Sequence, residues 1–220
     1  MRKKIVIILV VVLLIAGGIF AVRATTGQSK IPTAVSLPIP FTTQAPDGNW
    51  AGNENCEETS VIMANAYLTG NTAPEISQAD AITAINNIVQ WENTNIQTNA
   101  NTGAADTAKM AEGVEGIKAK VINNYTELQL KQALAKKEVV LLPIDATKLN
   151  NPNYAQPPPT YHMVVVRGYS GDTFYINDPG LNQGDNNAYS FAVLQAAGAD
   201  WNNATNSMDT NAKPAIILSK

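Results

Sequence analysis

Three side chains of this sequence have the chemistry of a nucleophilic site: a thiol, an imidazole and a carboxylate. Cys56 and His162 are the only residues of their types among 220, and Asp178 follows the histidine. A thiol becomes a strong nucleophile when it ionises, and a histidine beside it can take its proton. A carboxylate can in turn orient the imidazole. Acyl transfer through a thiol is therefore chemically possible if the fold brings the three together.

The position of Cys56 at a helix start favours a thiolate, whereas the two neighbouring carboxylates oppose one. The stretch NENCEETSVIMANAYLTG, residues 53–70, predicts a helix capped by Asn55, with Glu58 as its capping-box partner. Cys56 then lies in the first turn, where unpaired N–H groups and the macrodipole favour a thiolate. The carboxylates of Glu57 and Glu58 raise the thiol pKa unless they point away or bind the capping amides.

Two other roles for Cys56 stay open at this point. A disulfide within the chain would need a second cysteine, which the sequence lacks, so only an intermolecular bridge could form. A small buried apolar residue is the other role, and most free cysteines behave in this way. The nucleophile hypothesis depends on whether a base reaches the thiol.

The stretch HMVVVRGYSGDTFYINDP, residues 162–179, predicts a β-hairpin with its turn near Gly171. A symmetrical turn about Gly171 puts Asp178 opposite residue 164, on the same face as His162. A two-residue Gly171-Asp172 loop puts Asp178 opposite residue 165, on the other face, unless a β-bulge shifts the register. The spacing permits a bond between His162 and Asp178 without deciding it.

A developing oxyanion would need hydrogen-bond donors close to the cysteine. Gln44 lies in the segment before Cys56 and can offer its amide N–H₂ group beside the Cys56 backbone N–H. This arrangement requires the loop between residues 44 and 56 to fold back on itself.

Four motifs in order, PFTTQAPDGNW, NCEETSVIMANAYLTG, HMVVVRGY and YINDPG, resemble the C39-like branch of the papain-like cysteine peptidases over residues 36–218. The resemblance implies a papain-like α+β fold and a peptide substrate. It implies that Cys56 is the nucleophile, His162 the general base, Asp178 the group that orients the imidazole and Gln44 the oxyanion-hole donor. Bacteriocin-exporting members carry this domain on a transporter and cut after a double-glycine leader. No transporter is present in this sequence, so that substrate is not carried over.

The elements that must position these side chains follow from local patterns. A helix from Ser77, a short helix at residues 107–113 and a helix capped by Thr126 accompany the one that carries Cys56. Strands are predicted at KAKVIN, EVVLLPID, the hairpin and KPAIILS, with a short helix capped by Ser190. Helices come first and strands mostly later, which predicts an α+β domain with a mostly antiparallel sheet.

The N-terminus predicts a membrane segment. Arg2, Lys3 and Lys4 precede an apolar run at residues 5–22 that is long enough to span a bilayer. The basic flank belongs on the cytoplasmic side, so the rest of the chain is expected outside the cytoplasm, at the cell membrane. We therefore divide the chain into an anchor or signal segment (1–24), a linker (25–35) and a domain (36–220). Cleavage after the apolar run would make the protein secreted.

Charge and composition exclude several partners. Five of the 15 lysines and arginines lie at or before residue 30, whereas all 18 acidic residues follow it, so the remainder carries a net charge of about −8. Such a surface argues against nucleic acid or an anionic membrane face as partner. One cysteine and one histidine exclude a zinc cluster, and DPGLNQGDNN fails the EF-hand pattern. No cofactor and no metal are expected.

The sequence thus predicts a membrane-anchored thiol hydrolase outside the cytoplasm that cleaves a peptide or amide bond by Cys-His-Asp acyl transfer. Two alternatives stay open. One is a catalytically silent C39-like binding or adhesion module, which the glutamates beside Cys56 favour. The other is transglutaminase-like transfer, because Cys-His-Asp sites also serve enzymes that use an amine in place of water.

Overall fold

The predicted strands assemble into one antiparallel sheet. In spatial order it contains β2 (Lys118–Asn123), β9 (Pro214–Ser219), β3 (Val139–Asp145), β4 (Tyr161–Ser170), β5 (Thr173–Asn177) and β6 (Asn187–Ser190), and β1 (Ala34–Ser36) also pairs with β4. A separate ribbon consists of β7 (Asp200–Asn202) and β8 (Ser207–Asp209). The sequence patterns predicted neither of these two strands, nor β1 and β6 of the main sheet. Each pair of neighbouring strands among β1 to β9 is antiparallel.

The computed structural model describes residues 31–96 and 100–220, and its helices lie within these ranges. They are α1 (Cys56–Leu68), α2 (Gln78–Asn95), α3 (Ala104–Glu115), α4 (Glu127–Ala135), α5 (Phe191–Ala197) and a 3₁₀ helix (Ala146–Leu149). The side chains of Ser77, Thr126 and Ser190 cap α2, α4 and α5, as predicted. The short helix predicted at residues 107–113 is longer at both ends.

Helix α1 differs from the amphipathic helix that its sequence predicts. All residues from Cys56 to Ala64 are buried, because α1 packs against β3 and β4 as well as α2 and α3. The predicted capping box is also wrong, since Asn55 makes no side-chain hydrogen bond to the helix start. The reason is that Glu57 and Glu58 both turn into the protein, where each is 1% exposed.

The core lies on both faces of the central strands. Every residue of β3 is buried, and both α1 and α4 pack against β3 and β4. A strand that is buried on both faces reads as a continuous apolar run, which fits the sequence VVLLPI. The α+β class with a mostly antiparallel sheet is therefore confirmed.

The hairpin of β4 and β5 has the two-residue turn together with a bulge. Ser170 pairs with Thr173, so Gly171 and Asp172 form the turn, and Gly171 has a φ of +58° that suits glycine. Between Val166 and Gly168 the register shifts by one residue, and Val165 then pairs with Asn177. The shift places Asp178 in line with residue 164, on the face that His162 occupies.

The predicted membrane segment, residues 5–22, lies outside the described residues, as do the rest of segment 1–24 and most of the linker. Among the residues that the structure describes, no helix has the length and hydropathy to cross a membrane. The described residues from Ile31 to Lys220 form one unit.

Candidate active site

Cys56 is the first residue of α1, and its side chain points into the protein. The residue is 3% exposed, and its thiol donates a hydrogen bond to Glu57 Oε2 at 2.8 Å. The backbone N–H of Met163 on β4 approaches the sulfur, and Ser60 Oγ donates to the Met163 carbonyl at 3.3 Å. These contacts hold the start of α1 against the strand that begins with Tyr161 and His162.

The surroundings of Cys56 keep its thiol neutral in this arrangement. Burial raises the thiol pKa well above its ordinary value, and the carboxylates of Glu57 and then Glu58 raise it further. The Met163 N–H opposes them only in part. The charge effect of the two glutamates, which the sequence left open, is therefore unfavourable to the thiolate.

Glu57 is fixed between the thiol and a backbone amide. Its Oε1 accepts a hydrogen bond from the Thr102 N–H at 2.8 Å, while Oε2 accepts from Cys56. Burial raises the pKa of Glu57 to about 7, and the bonds to Cys56 and Thr102 and the attraction of His162 oppose that rise. The Glu57 carboxyl therefore changes its protonation state near neutral pH.

Glu58 and Glu92 form a second buried carboxyl pair, between α1 and α2. Burial raises the pKa of Glu58 well above its ordinary value, and it raises that of Glu92 to about 7. The two carboxyl groups face each other, and among the described residues no donor lies within hydrogen-bond reach of their four buried oxygens. Because two carboxylates repel each other in a dry interior, the pair is stable only while it holds a proton.

We expect the stability of the protein to fall as pH rises from about 5 to 8. A carboxyl whose pKa is higher in the folded than in the unfolded protein favours folding while it is protonated. This stabilisation is complete below the pKa in the unfolded state, and it is lost as pH rises through the pKa in the folded state. For Glu92, with a pKa near 7, the loss is about 3 kcal/mol. Glu92→Gln should reduce this dependence without abolishing it, because its amide can donate to Glu58, whereas Glu57 keeps its own raised pKa of about 7. Urea unfolding at both pH values measures it, and an unchanged pH dependence in the variant would contradict the prediction.

His162 and Asp178 are hydrogen-bonded in the core, as the register permits. His162 Nε2 lies 2.7 Å from Asp178 Oδ1, and the two residues are 2% and 0% exposed. Asp178 Oδ1 also accepts from the Gly180 N–H at 2.9 Å. This bonding fixes the plane of the imidazole and leaves Nδ1 as the ring nitrogen that can exchange a proton with another group.

Tyr154 is a site residue that the sequence analysis missed. Its hydroxyl donates a hydrogen bond to Asp178 Oδ2, and its ring meets the His162 ring edge-on, at 6.2 Å and 89°. The residue lies in the proline-rich loop before β4 and is buried. A tyrosine in such a loop matches no chemical motif, so no sequence signal could have identified it.

We expect Tyr154→Phe to destabilise the protein by about 1–3 kcal/mol, because a buried carboxylate oxygen loses its donor. Tyr189→Phe is the matched control. Its hydroxyl accepts from Asn151 Nδ2 at 2.7 Å, and the residue is only half-buried, so we expect a loss below about 1 kcal/mol. Urea unfolding of both variants at one pH measures the difference. Equal losses in the two variants would show that Tyr154 does not support Asp178.

Gln44 reaches the site because its loop folds back. Gln44 Nε2 donates to the Asn53 carbonyl at 3.0 Å, and Asn53 Nδ2 donates to the Gln44 carbonyl at 3.0 Å. The backbone N–H of Gln44 also donates to the Pro179 carbonyl at 2.9 Å, next to Asp178. The reciprocal pair closes the loop between residues 44 and 53 and leaves one N–H of the Gln44 amide for another acceptor.

The predicted site residues meet at one cleft with a volume of about 500 Å³. Gln44, Cys56 and His162 line it, and Asp178 lies behind the histidine. Trp50, Tyr154 and Tyr161 complete the aromatic part of the lining. Within residues 31–96 and 100–220, no group of three or more His, Cys, Asp or Glu side chains could hold a metal ion. The cleft thus offers a thiol, an oriented imidazole and an amide donor.

Comparisons with solved structures agree with this architecture. A protein from Bacillus anthracis described as a C39-like peptidase is similar at 18% identity, with a TM-score of 0.54 over 85% of this chain and 98% of that one. At this identity the similarity shows the fold alone.

Two further structures match with lower TM-scores. A double-glycine motif protease from an AMS/PCAT transporter, in complex with the leader peptide, has 17% identity and a TM-score of 0.44 over 84% of this chain and 95% of that one. The Carica candamarcensis cysteine protease CMS1MS2, in complex with E-64, has 14% identity and a TM-score of 0.42 over 86% and 99%.

Sequence comparison identifies the family. No sequence among the curated proteins matches the chain significantly. The model of the Peptidase_C39 like family matches residues 36–208, which include Gln44, Cys56, His162 and Asp178. The resemblance predicted from the four motifs is confirmed, and the chain belongs to the Peptidase_C39 like family.

Proposed function

We propose that this protein is a cysteine peptidase that hydrolyses a peptide bond by acyl transfer to Cys56. The observation that carries the proposal is the bond of 2.7 Å between His162 and Asp178, in a cleft that Cys56 also lines. A buried imidazole with one nitrogen held by a carboxylate is suited to proton transfer at its other nitrogen. Membership in the Peptidase_C39 like family supports peptide as the substrate class.

The mechanism assigns each proton. His162 takes the thiol proton of Cys56 as the sulfur attacks the carbonyl carbon, and the oxyanion accepts hydrogen bonds from the Cys56 N–H and the Gln44 amide. His162 then gives its proton to the leaving amine, and the C–N bond breaks to leave a thioester. Water attacks the thioester carbon as His162 takes one of its protons, the C–S bond then breaks to release the acid, and His162 returns that proton to the sulfur.

The closed arrangement of the thiol favours one alternative, a catalytically silent binding module. The Cys56 thiol is buried, neutral and hydrogen-bonded to Glu57, so the unliganded cleft presents no thiolate. In this hypothesis the cleft binds a peptide without cutting it. Turnover is the property that separates the two functions.

Incubation of residues 31–220 with a peptide library, followed by mass spectrometry, tests the proposal. We expect new peptide termini with the native chain and none with Cys56→Ala, which removes only the sulfur. Peptides that bind both forms without cleavage would contradict the peptidase and support the binding module. Products linked to an added primary amine, in place of free acids, would assign the site to transglutaminase-like transfer.

We further propose that the domain is displayed outside the cytoplasm by the segment 1–24. The basic residues Arg2, Lys3 and Lys4 before the apolar run at 5–22 support this topology. Protease added to intact cells that express the full chain should digest the domain and leave a cytoplasmic marker whole. Protection of the domain until the cells are lysed would contradict the proposal.

A further inference from the structure

We propose that Glu57 is a positioning residue that holds the Cys56 thiol protonated and turned into the protein until a substrate or a protonation event releases it. The inference rests on the proposed function for its purpose, although its evidence is the geometry around the sulfur. Nothing in the sequence motifs assigns Glu57 a role in the reaction, and the sequence left the direction of its carboxylate open.

Two hydrogen bonds fix the Glu57 carboxyl. Oε2 accepts the thiol proton of Cys56 at 2.8 Å, and Oε1 accepts the Thr102 N–H at 2.8 Å. Because Thr102 occupies one oxygen, the other oxygen is held against the sulfur. Because Glu57 is only 1% exposed, solvent has almost no access to the carboxyl to replace these partners.

The charged groups around Glu57 make its protonation state decisive for the thiol. The titratable groups that face it from the packed elements are Cys56 and Glu58 on α1, Glu92 on α2, and Tyr161 and His162 on β4. His162 is the only one of these that can carry positive charge. An ionised Glu57 therefore opposes the thiolate, whereas a neutral Glu57 permits it and can donate its own proton to the sulfur.

These contacts predict a distinctive pH profile for the thiol. Below the Glu57 pKa, near 7, the thiolate fraction rises tenfold per pH unit. Above it, a proton lost from the pair comes mainly from the carboxyl, so the thiolate fraction levels off. The alkylation rate of Cys56 should follow this curve, with a plateau that begins near pH 7.

Glu57→Gln reverses the hydrogen bond at the sulfur. The Thr102 N–H needs an acceptor and therefore selects the amide oxygen, which turns the amide N–H₂ toward Cys56. A donor without charge then replaces an anionic acceptor. We expect iodoacetamide to alkylate Cys56 at pH 8 at least about tenfold faster than in the native protein, with no plateau, because each unit by which the thiol pKa falls raises the thiolate fraction tenfold.

The experiment measures iodoacetamide alkylation from pH 5.5 to 9 in the native protein, in Glu57→Gln and in Glu58→Gln. Glu58→Gln is the matched control, because it removes a neighbouring buried carboxyl that makes no hydrogen bond to the sulfur, and we expect a change below about threefold. The same series in a His162→Ala background shows whether the plateau belongs to the carboxyl or to the imidazole.

An unchanged rate and profile in Glu57→Gln would overturn the inference, as would a plateau that disappears with His162→Ala alone. If Glu57→Gln does not fold, the alkylation profiles of the native and His162→Ala proteins still test the inference. Only control of the thiol by Glu57 predicts a plateau in both proteins. Peptide cleavage is not needed for any of these readouts. A result that contradicts the role of Glu57 is thus distinguishable from one that contradicts the peptidase proposal.

Discussion

Replacement of His162 by alanine is expected to lower kcat/KM for peptide cleavage by about 10⁴-fold or more. His162 is the only histidine of the chain, so no second imidazole can take over its protons. It serves both half-reactions, since it takes the thiol proton and later delivers it to the leaving amine. Nucleophile and base act as a unit, and the loss of either removes most of the catalysis.

Initial rates on a peptide found with the library, at saturating and limiting concentrations, measure this effect. Urea unfolding serves as the control for folding, because His162 is 2% exposed and its removal leaves Asp178 without one donor. A variant that folds and retains more than about a tenth of the native kcat/KM would exclude His162 as the general base.

Replacement of Asp178 is expected to separate orientation from charge. Asp178→Ala removes the acceptor of His162, Gly180 and Tyr154 together, and we expect kcat to fall by about 10²–10⁴-fold. Asp178→Asn keeps an amide oxygen that can accept from His162 and Gly180, so the ring stays oriented. We expect its kcat to fall by about tenfold or less, because the bond to His162 survives, while the charge and the acceptor of the Tyr154 hydroxyl are lost.

The comparison of kcat with KM identifies the role of Asp178. A residue that orients the base without touching substrate should lower kcat and leave KM nearly unchanged. Asp178→Ala also leaves three partners unpaired, of which His162 and Tyr154 are buried, so we expect a stability loss of at least about 3 kcal/mol. Equal kcat values for the alanine and asparagine variants would show that orientation of His162 is not the function of Asp178.

Much of the fold follows from local sequence signals. The strands β2, β3 and β9 lie within one residue of the predicted segments, because β-branched and apolar runs bounded by polar residues describe strands directly. The caps at Ser77, Thr126 and Ser190 lie where predicted, since a cap satisfies N–H groups within its own turn. Sequence order and motif spacing also identified the family.

Local sequence signals do not decide the register of the hairpin formed by β4 and β5. Both registers of β4 and β5 satisfy the turn at Gly171, and they differ only in the face on which Asp178 lies. The bulge between Val166 and Gly168 decides between them. Gly168 lies against β1, where a Cβ atom would come within 2.3 Å of the Val35 carbonyl oxygen. The bulge that brings Asp178 to His162 therefore lies where β4 packs against β1, a strand from a distant part of the chain.

The sequence by itself determined which groups could react: one thiol, one imidazole, a carboxylate that follows the imidazole and an amide that precedes the thiol. Only the tertiary structure decided the states of these groups. The burial of the first nine residues of α1 holds Glu57 against the sulfur, and a loop without any motif brings Tyr154 to Asp178. The physical reason is that the pKa of a buried group depends on desolvation and on neighbours that are distant along the chain, and neither has a local signature.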